Sequence, residues 1–192
     1  EEMILSLDLY YKLPFGRLNQ HTPEVRELAA LIGRTPSSVA LRLVNYAACD
    51  PYIVNSGRRG MVSGIGKRKP FWDHYADNTE ELFLQAESIR ASLLAKPVEE
   101  ILQLNSTDFI GEEKETVIKQ RINQNAFRAV ILANYNEQCA ISGICIPQLL
   151  IASHIVPWSD DVNNRLNPTN GICLSPLYDK AFDKGYIGIR PD

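Results

Sequence analysis

One ordered stretch constrains this chain more than any other: Leu149 to Ile187, LLIASHIVPWSDDVNNRLNPTNGICLSPLYDKAFDKGYI. An apolar run ends in Ser153-His154, a polar loop follows, and Asn170-Gly171 opens a second apolar run before Asp179 and Asp183. Residues at i and i+4 share one face of a helix, so the two aspartates can offer their carboxylates to a single cation. A neutral imidazole can take a proton from water near neutral pH, which gives His154 the character of a general base. The expectation is one metal ion beside one base, carried by apolar segments and a short helix over Pro176 to Gly185 with Tyr178 and Phe182 facing inward.

Flanking segments extend this carboxy-terminal pattern. Ile118 to Asn136 has helical spacing, with Phe127, Val130, Ile131 and Tyr135 on one face, and could lie over a sheet. Cys139-Ala140-Ile141 reads as a short strand, Leu149 to Val156 as a second, and Tyr186 to Ile189 as the start of another. More protein is expected beyond both ends of the chain.

The first half reads as helical throughout. Glu2 to Tyr11 carries Met3, Ile4, Leu7, Tyr10 and Tyr11 at helical spacing, ended by Pro14-Phe15-Gly16. Thr22-Pro23-Glu24 supplies a cap and a first-turn proline for a second helix ending at Gly33, and Thr35-Pro36 starts a third bearing Val39, Leu43 and Tyr46. Two helices across a tight turn are the layout of a helix-turn-helix, whose second helix enters the DNA major groove. Arg34, Ser37, Ser38 and Arg42 are then the exposed candidates for DNA contact, although helical hairpins inside bundles share the same caps. Between Pro51 and Trp72 there is no acidic residue, while Arg58, Arg59, Lys67, Arg68 and Lys69 alternate with glycines. We expect a flexible basic loop there that adds phosphate contacts. A helix from Thr79 to about Ala95 and a shorter one at Val98 to Leu104 complete this half.

The expected organisation is α+β: a helical DNA-binding domain over residues 1–96, a connector over 97–117 with the boundary near Thr107, and a catalytic domain over 118–192. At 192 residues and 45% hydrophobic content the chain can bury a core. No apolar run reaches the roughly 20 residues that span a bilayer, and the start lacks a signal-peptide pattern, so a cytoplasmic protein without a membrane partner is expected. The four cysteines are expected as reduced thiols, Cys139 and Cys173 in the core and Cys145 in a loop or hairpin. A formal net charge of -3 argues against a protein that coats nucleic acid indiscriminately.

Three pieces in order, SHI-x-PW from Ser153, N-x-x-NG from Asn167 and D-x-x-FD-x-G from Asp179, resemble the HNH endonuclease superfamily with its ββα-metal fold. With RINQNAFRAVILANYNEQCAISG from Arg121, the block is similar to prokaryotic predicted restriction endonucleases of that superfamily. The resemblance implies that His154 is the general base, and that Asn170 holds the loop to the helix through its amide or ligates the metal. It also places Ser153 where relatives often carry an aspartate or histidine that binds metal. Asp179 and Asp183 complete the expected ligands, and all-oxygen ligation favours Mg²⁺ or Mn²⁺. Arg165, between base and asparagine, is suited to a bidentate phosphate contact or to a salt bridge with Asp160 or Asp161. Many relatives carry paired cysteines for structural zinc; Cys139, Ser142, Ser175 and Tyr178 at the matching positions imply none here.

The implied function is metal-dependent DNA cleavage, in restriction or phage defence. The alternative is a helix-turn-helix DNA-binding protein whose HNH domain no longer cuts, and a structured-RNA nuclease is a third reading. One such site cuts one strand, so cutting both implies a homodimer or rebinding.

Overall fold

The computed structural model describes residues 1–104, 112–162 and 164–190. The expected domain boundary near Thr107 lies outside the described residues. The chain divides into two compact units, Glu1–Asn125 and Ala126–Asp192. No helix among the described residues is long and apolar enough to cross a membrane.

The first unit is helical: α1 (Glu2–Tyr11), α2 (Pro23–Leu31), α3 (Pro36–Ala47), α4 (Pro51–Asn55), α5 (Lys69–Tyr75), α6 (Thr79–Leu94) and α7 (Val98–Ile101). Sequence signals explain several starts. Pro23 and Pro36 occupy first-turn positions where no amide partner is lost, and Thr35 Oγ1 accepts from the Ser38 amide at 3.3 Å. Thr22 does something else: its hydroxyl donates to the Arg17 carbonyl at 2.6 Å and ties the preceding turn to the helix.

α1 is the central element, packed against α2, α3 and α6. Its deepest residues are Leu5, Ser6, Leu7 and Asp8, so the buried face is rotated from the one that helical spacing suggested. Asp8 explains the rotation. Its carboxylate is fully buried, and Lys12 and Arg90 reach it at 2.5 and 3.0 Å, an arrangement a buried charge requires. Tyr10, Tyr11 and Trp72 form an aromatic cluster, with Tyr11 and Trp72 stacked 5.6 Å apart. Burial pushes the Tyr10 phenol well above its ordinary range, and its hydroxyl donates to Asp50 at 2.7 Å.

The segment read as a flexible basic loop is more ordered than expected. α4 starts where Asp50 Oδ1 accepts from the Tyr52 amide at 2.8 Å, and the loop between α4 and α5 is fastened to α3. The Asn45 side chain, buried in α3, donates to the Met61 and Ser63 carbonyls at 2.8 Å each, and the Met61 amide donates to Val44 at 3.0 Å. Gly60 lets the backbones touch, since a Cβ there would sit 2.2 Å from the Ala48 nitrogen and 2.6 Å from the Val44 oxygen.

α8 (Glu112–Asn134) begins earlier than its pattern suggested, and the division into units falls within it. In the second unit β1 (Ile151–His154) pairs antiparallel with β2 (Gly171–Leu174), and α9 (Pro176–Asp183) follows. The register sets Ile151 against Leu174, Ala152 against Cys173, Ser153 against Ile172 and His154 against Gly171. Phe127, Ile131, Cys139, Leu150, Cys173 and Leu174 form the core, with Tyr178 and Phe182 packed against it.

Two expected strands are corrected. Residues 139–141 form a turn, because the Cys139 sulfur accepts from the Ser142 and Ser175 amides at 3.4 and 3.2 Å and draws the chain into a knuckle. The partner of β1 is instead the apolar run after Asn170. Residues 186–189 form no strand: after Gly185 turns back onto α9, the Tyr186 amide is used by the Ala181 carbonyl at 2.9 Å.

Candidate active site

Successive residues of a strand face opposite ways, and at the end of β1 each of two finds a different helix. Ser153, buried, donates its hydroxyl to Asp179 Oδ1 in the first turn of α9. His154, half-buried, lies flat against the Phe127 ring of α8, with centroids 3.8 Å apart and planes within 8°. Trp158 meets the imidazole edge-on at 5.4 Å.

The imidazole is also fixed by a hydrogen bond. His154 Nε2 lies 2.9 Å from the Arg165 carbonyl. A carbonyl only accepts, so Nε2 carries the hydrogen and the neutral ring keeps its lone pair on Nδ1. Arg165 turns its own side chain back on the loop: Nε donates to the Trp158 carbonyl at 2.8 Å, and the guanidinium sits 4.9 Å over the Trp158 ring. Its backbone holds the imidazole while its side chain braces the loop that carries it.

Asn170 closes this loop. Its Oδ1 accepts from the Val156 amide at 2.7 Å, and its Nδ2 donates to the carbonyls of Val156 and Asn164 at 3.1 and 3.3 Å. The expected bond from loop to helix is thus a bond from loop to loop. With the side chain buried, all these groups are satisfied inside the protein.

Ser153 and Asp179 bring a hydroxyl and a carboxylate together from a strand and a helix. Asp183, one turn beyond Asp179, is exposed. Among the described residues no group of three or more His, Cys, Asp or Glu side chains is arranged to hold a metal ion. The two donors that meet there, a hydroxyl and a carboxylate, are oxygens, the ligand type that hard divalent cations take.

The Cys139 sulfur, in the core, accepts from the amide of Ser175 at the cap of α9. Burial raises its thiol pKa, but hydrogen bonds from Ser142, Ile141 and Ser175 outweigh burial and bring it from 9.0 down to about 6. Cys173, buried beside that charge, is pushed up to about 11, first by burial and then by Cys139. Cys145 is exposed.

In the helical unit the candidate DNA-contact residues have varied surroundings. Arg34 and Arg42 both reach Glu2, at 3.1 and 2.5 Å, and Arg42 is only 12% exposed. Ser38 contributes its amide to the Thr35 cap. Arg58 lies 5.5 Å over the Phe15 ring, Arg59 and Lys67 are exposed, Arg68 is half-buried and Lys69 pairs with Asp73.

Phe127 and Trp158 are the site residues that sequence reasoning missed as such. Phe127 was visible only as an apolar helix position, and Trp158 only as part of the PW pair.

Strand, loop, strand and helix in this order, with a histidine ending the first strand and a carboxylate in the first turn of the helix, define a ββα unit. Residues 139–190 match the family model described as HNH endonuclease, and this segment belongs to the HNH superfamily. Neither a curated protein nor a solved structure matches the chain.

Proposed function

We propose that this protein is a metal-dependent DNA endonuclease in which His154 is the general base. The observation that carries this reading is the fixed tautomer of His154, at the end of a strand whose preceding residue meets a helix carboxylate. With Nε2 bonded to the Arg165 carbonyl, Nδ1 is the atom that takes the proton from the attacking water. Asp179 with Ser153 would hold the divalent cation, which when bound supplies charge relief to the phosphate and the departing oxygen. Asp183, one turn on, can add a carboxylate through water. Asn170 keeps the loop closed, so that the Arg165 carbonyl stays in place.

The helical unit is proposed to choose where the protein binds. The anchored loop presents Arg58, Arg59 and Lys67 to solvent, a favourable arrangement for phosphate contact. Arg34 and Arg42 share Glu2, so their use on DNA in a helix-turn-helix manner requires that pairing to be exchanged for phosphate. A role in restriction or phage defence follows from the resemblance.

A second reading, a DNA-binding protein that no longer cuts, draws on one observation: the Ser153 hydroxyl occupies one oxygen of Asp179. Wild type and His154→Ala are incubated with supercoiled plasmid and Mg²⁺ or Mn²⁺. The nuclease reading expects nicked or linear product from wild type and a loss of about 100-fold or more in the variant, the usual scale of general-base catalysis. Plasmid binding without product under either ion leaves the second reading.

A further inference from the structure

The segment that matches the HNH family begins at residue 139, yet one face of the His154 ring is covered by a residue that precedes it. We propose that Phe127 of α8 is a positioning residue for the His154 base, and that Gly171 is the opening that admits it. The inference rests on the nuclease reading for the meaning of His154, while the contact itself stands on geometry.

Three observations converge. The rings of Phe127 and His154 are parallel within 8° at a centroid separation of 3.8 Å. Gly171 stands opposite His154 in the register, and a Cβ there would fall 2.3 Å from Ile131 Cδ1 and 2.8 Å from Phe127 Cζ. Any side chain at that rung would therefore displace the Ile131 and Phe127 side chains, and with them the ring that covers the imidazole. Arg128, next in sequence, fixes α8 against the start of β1 by donating to the Leu150 and Pro147 carbonyls at 2.5 and 3.0 Å. The helix is thus held both at the foot of β1 and at its catalytic end.

The physical role follows from the freedom of the side chain. A histidine with one hydrogen bond can still swing about χ2, because torsions of this kind are broad. A flat, buried ring against its face blocks that swing, and the Trp158 edge narrows what is left. The Nδ1 lone pair then keeps one direction, which matters because small misplacements of a reacting group cost about 100-fold in rate. Phe127 touches no reacting atom in this account and acts through His154.

NMR of the full chain with labelled histidine tests this. The sequence holds three histidines, and His154→Ala assigns the one that matters. The expected result is an upfield, ring-current-shifted His154 imidazole with cross-relaxation to the Phe127 ring. Phe127→Leu should abolish the shift and leave the His21 and His74 resonances in place. The same variant should slow cleavage of supercoiled plasmid with Mn²⁺ by about tenfold to 100-fold at saturating protein, with plasmid affinity unchanged. Ile131→Val, which trims the neighbouring contact without touching the stack, should keep the wild-type rate. If Phe127→Leu does not fold, the wild-type shift and cross-relaxation still decide the contact.

An unshifted His154 in wild type, a Phe127→Leu variant at full rate, or an equal loss in Ile131→Val overturns the proposal. A shifted ring in a wild type that never cuts overturns the nuclease reading, and the catalytic role of Phe127 with it, while leaving the contact in place.

Discussion

Gly60→Ala is the most demanding perturbation of the helical unit. The added methyl carbon would lie 2.2 Å from the Ala48 nitrogen, 2.6 Å from the Val44 oxygen and 2.7 Å from the Ala47 carbonyl carbon. All three are backbone atoms at the end of α3, so no rotamer change can relieve the contact. Ordinary contacts begin at about 3.5 Å, so the loop has to retreat by about 1 Å or more. That retreat breaks the bond from the Met61 amide to Val44, now 3.0 Å, and draws the Met61 and Ser63 carbonyls away from Asn45. The carbonyls can turn to water, but the Asn45 amide, 2% exposed, cannot. Overpacking costs about 1 to 3 kcal/mol and stranding a buried donor about 1 to 3 kcal/mol, giving on the order of 2 to 6 kcal/mol. Urea unfolding should register this as a lower midpoint, and trypsin should cut faster at Arg58 and Arg59. A variant within about 0.5 kcal/mol of wild type and equally resistant to trypsin would show that the loop does not rest on α3.

Three further outcomes are expected. Asp8→Ala should lower stability by about 2 to 4 kcal/mol, because Lys12 and Arg90 lose the buried carboxylate they share; a loss below about 0.5 kcal/mol in denaturant would contradict the role given to that network. Asp179→Asn keeps an acceptor for Ser153 but removes the charge, so Mn²⁺ affinity read by electron paramagnetic resonance should fall about tenfold or more with folding intact, and full retention would mean the ion binds elsewhere. Cys139 has a folded-state pKa of about 6 against an ordinary 9.0, so the unfolded chain binds the extra proton between these values. Its contribution is therefore complete above about pH 9 and disappears as pH falls through about 6, with a slope of at most about 1.4 kcal/mol per pH unit. Cys139→Ser should flatten that rise in urea midpoints, and an unchanged profile would refute the thiolate.

The parts of this molecule legible in the sequence are those fixed by local chemistry. Pro23, Thr35-Pro36 and Pro176 mark helix starts because caps and first-turn prolines act over three or four residues. Asp50-Pro51 carries the same signal for α4, hidden amid the glycines and cationic residues that follow. Residues 139–141 could not be read correctly, since Cys-Ala-Ile favours a strand until its sulfur is seen to collect two amides from opposite directions. In the site, His154, Asn170 and Asp179 were visible as residue types in order. Their partners were not, because the Arg165 carbonyl and the Phe127 ring reach His154 through tertiary structure alone. The same limit explains Arg42, an exposed reader by helical spacing that the fold turns toward Glu2.

Asn170 has a consequence for how this domain could be altered. The chain that leaves β1 at His154 and enters β2 at Gly171 must be closed for its far side to hold the imidazole, and closure entropy grows only slowly with length. Since one buried amide joins Val156 to Asn164 and the Ile155 amide bonds the Asn170 carbonyl at 2.9 Å, the ends are clasped independently of what lies between. The exposed tip at Ser159 and Asp160 is therefore the part of the loop where added sequence would leave that clasp intact. A segment grafted there would hang from the loop and leave the Asn170 bonds in place, making the clasp a fixed socket beside an exchangeable surface.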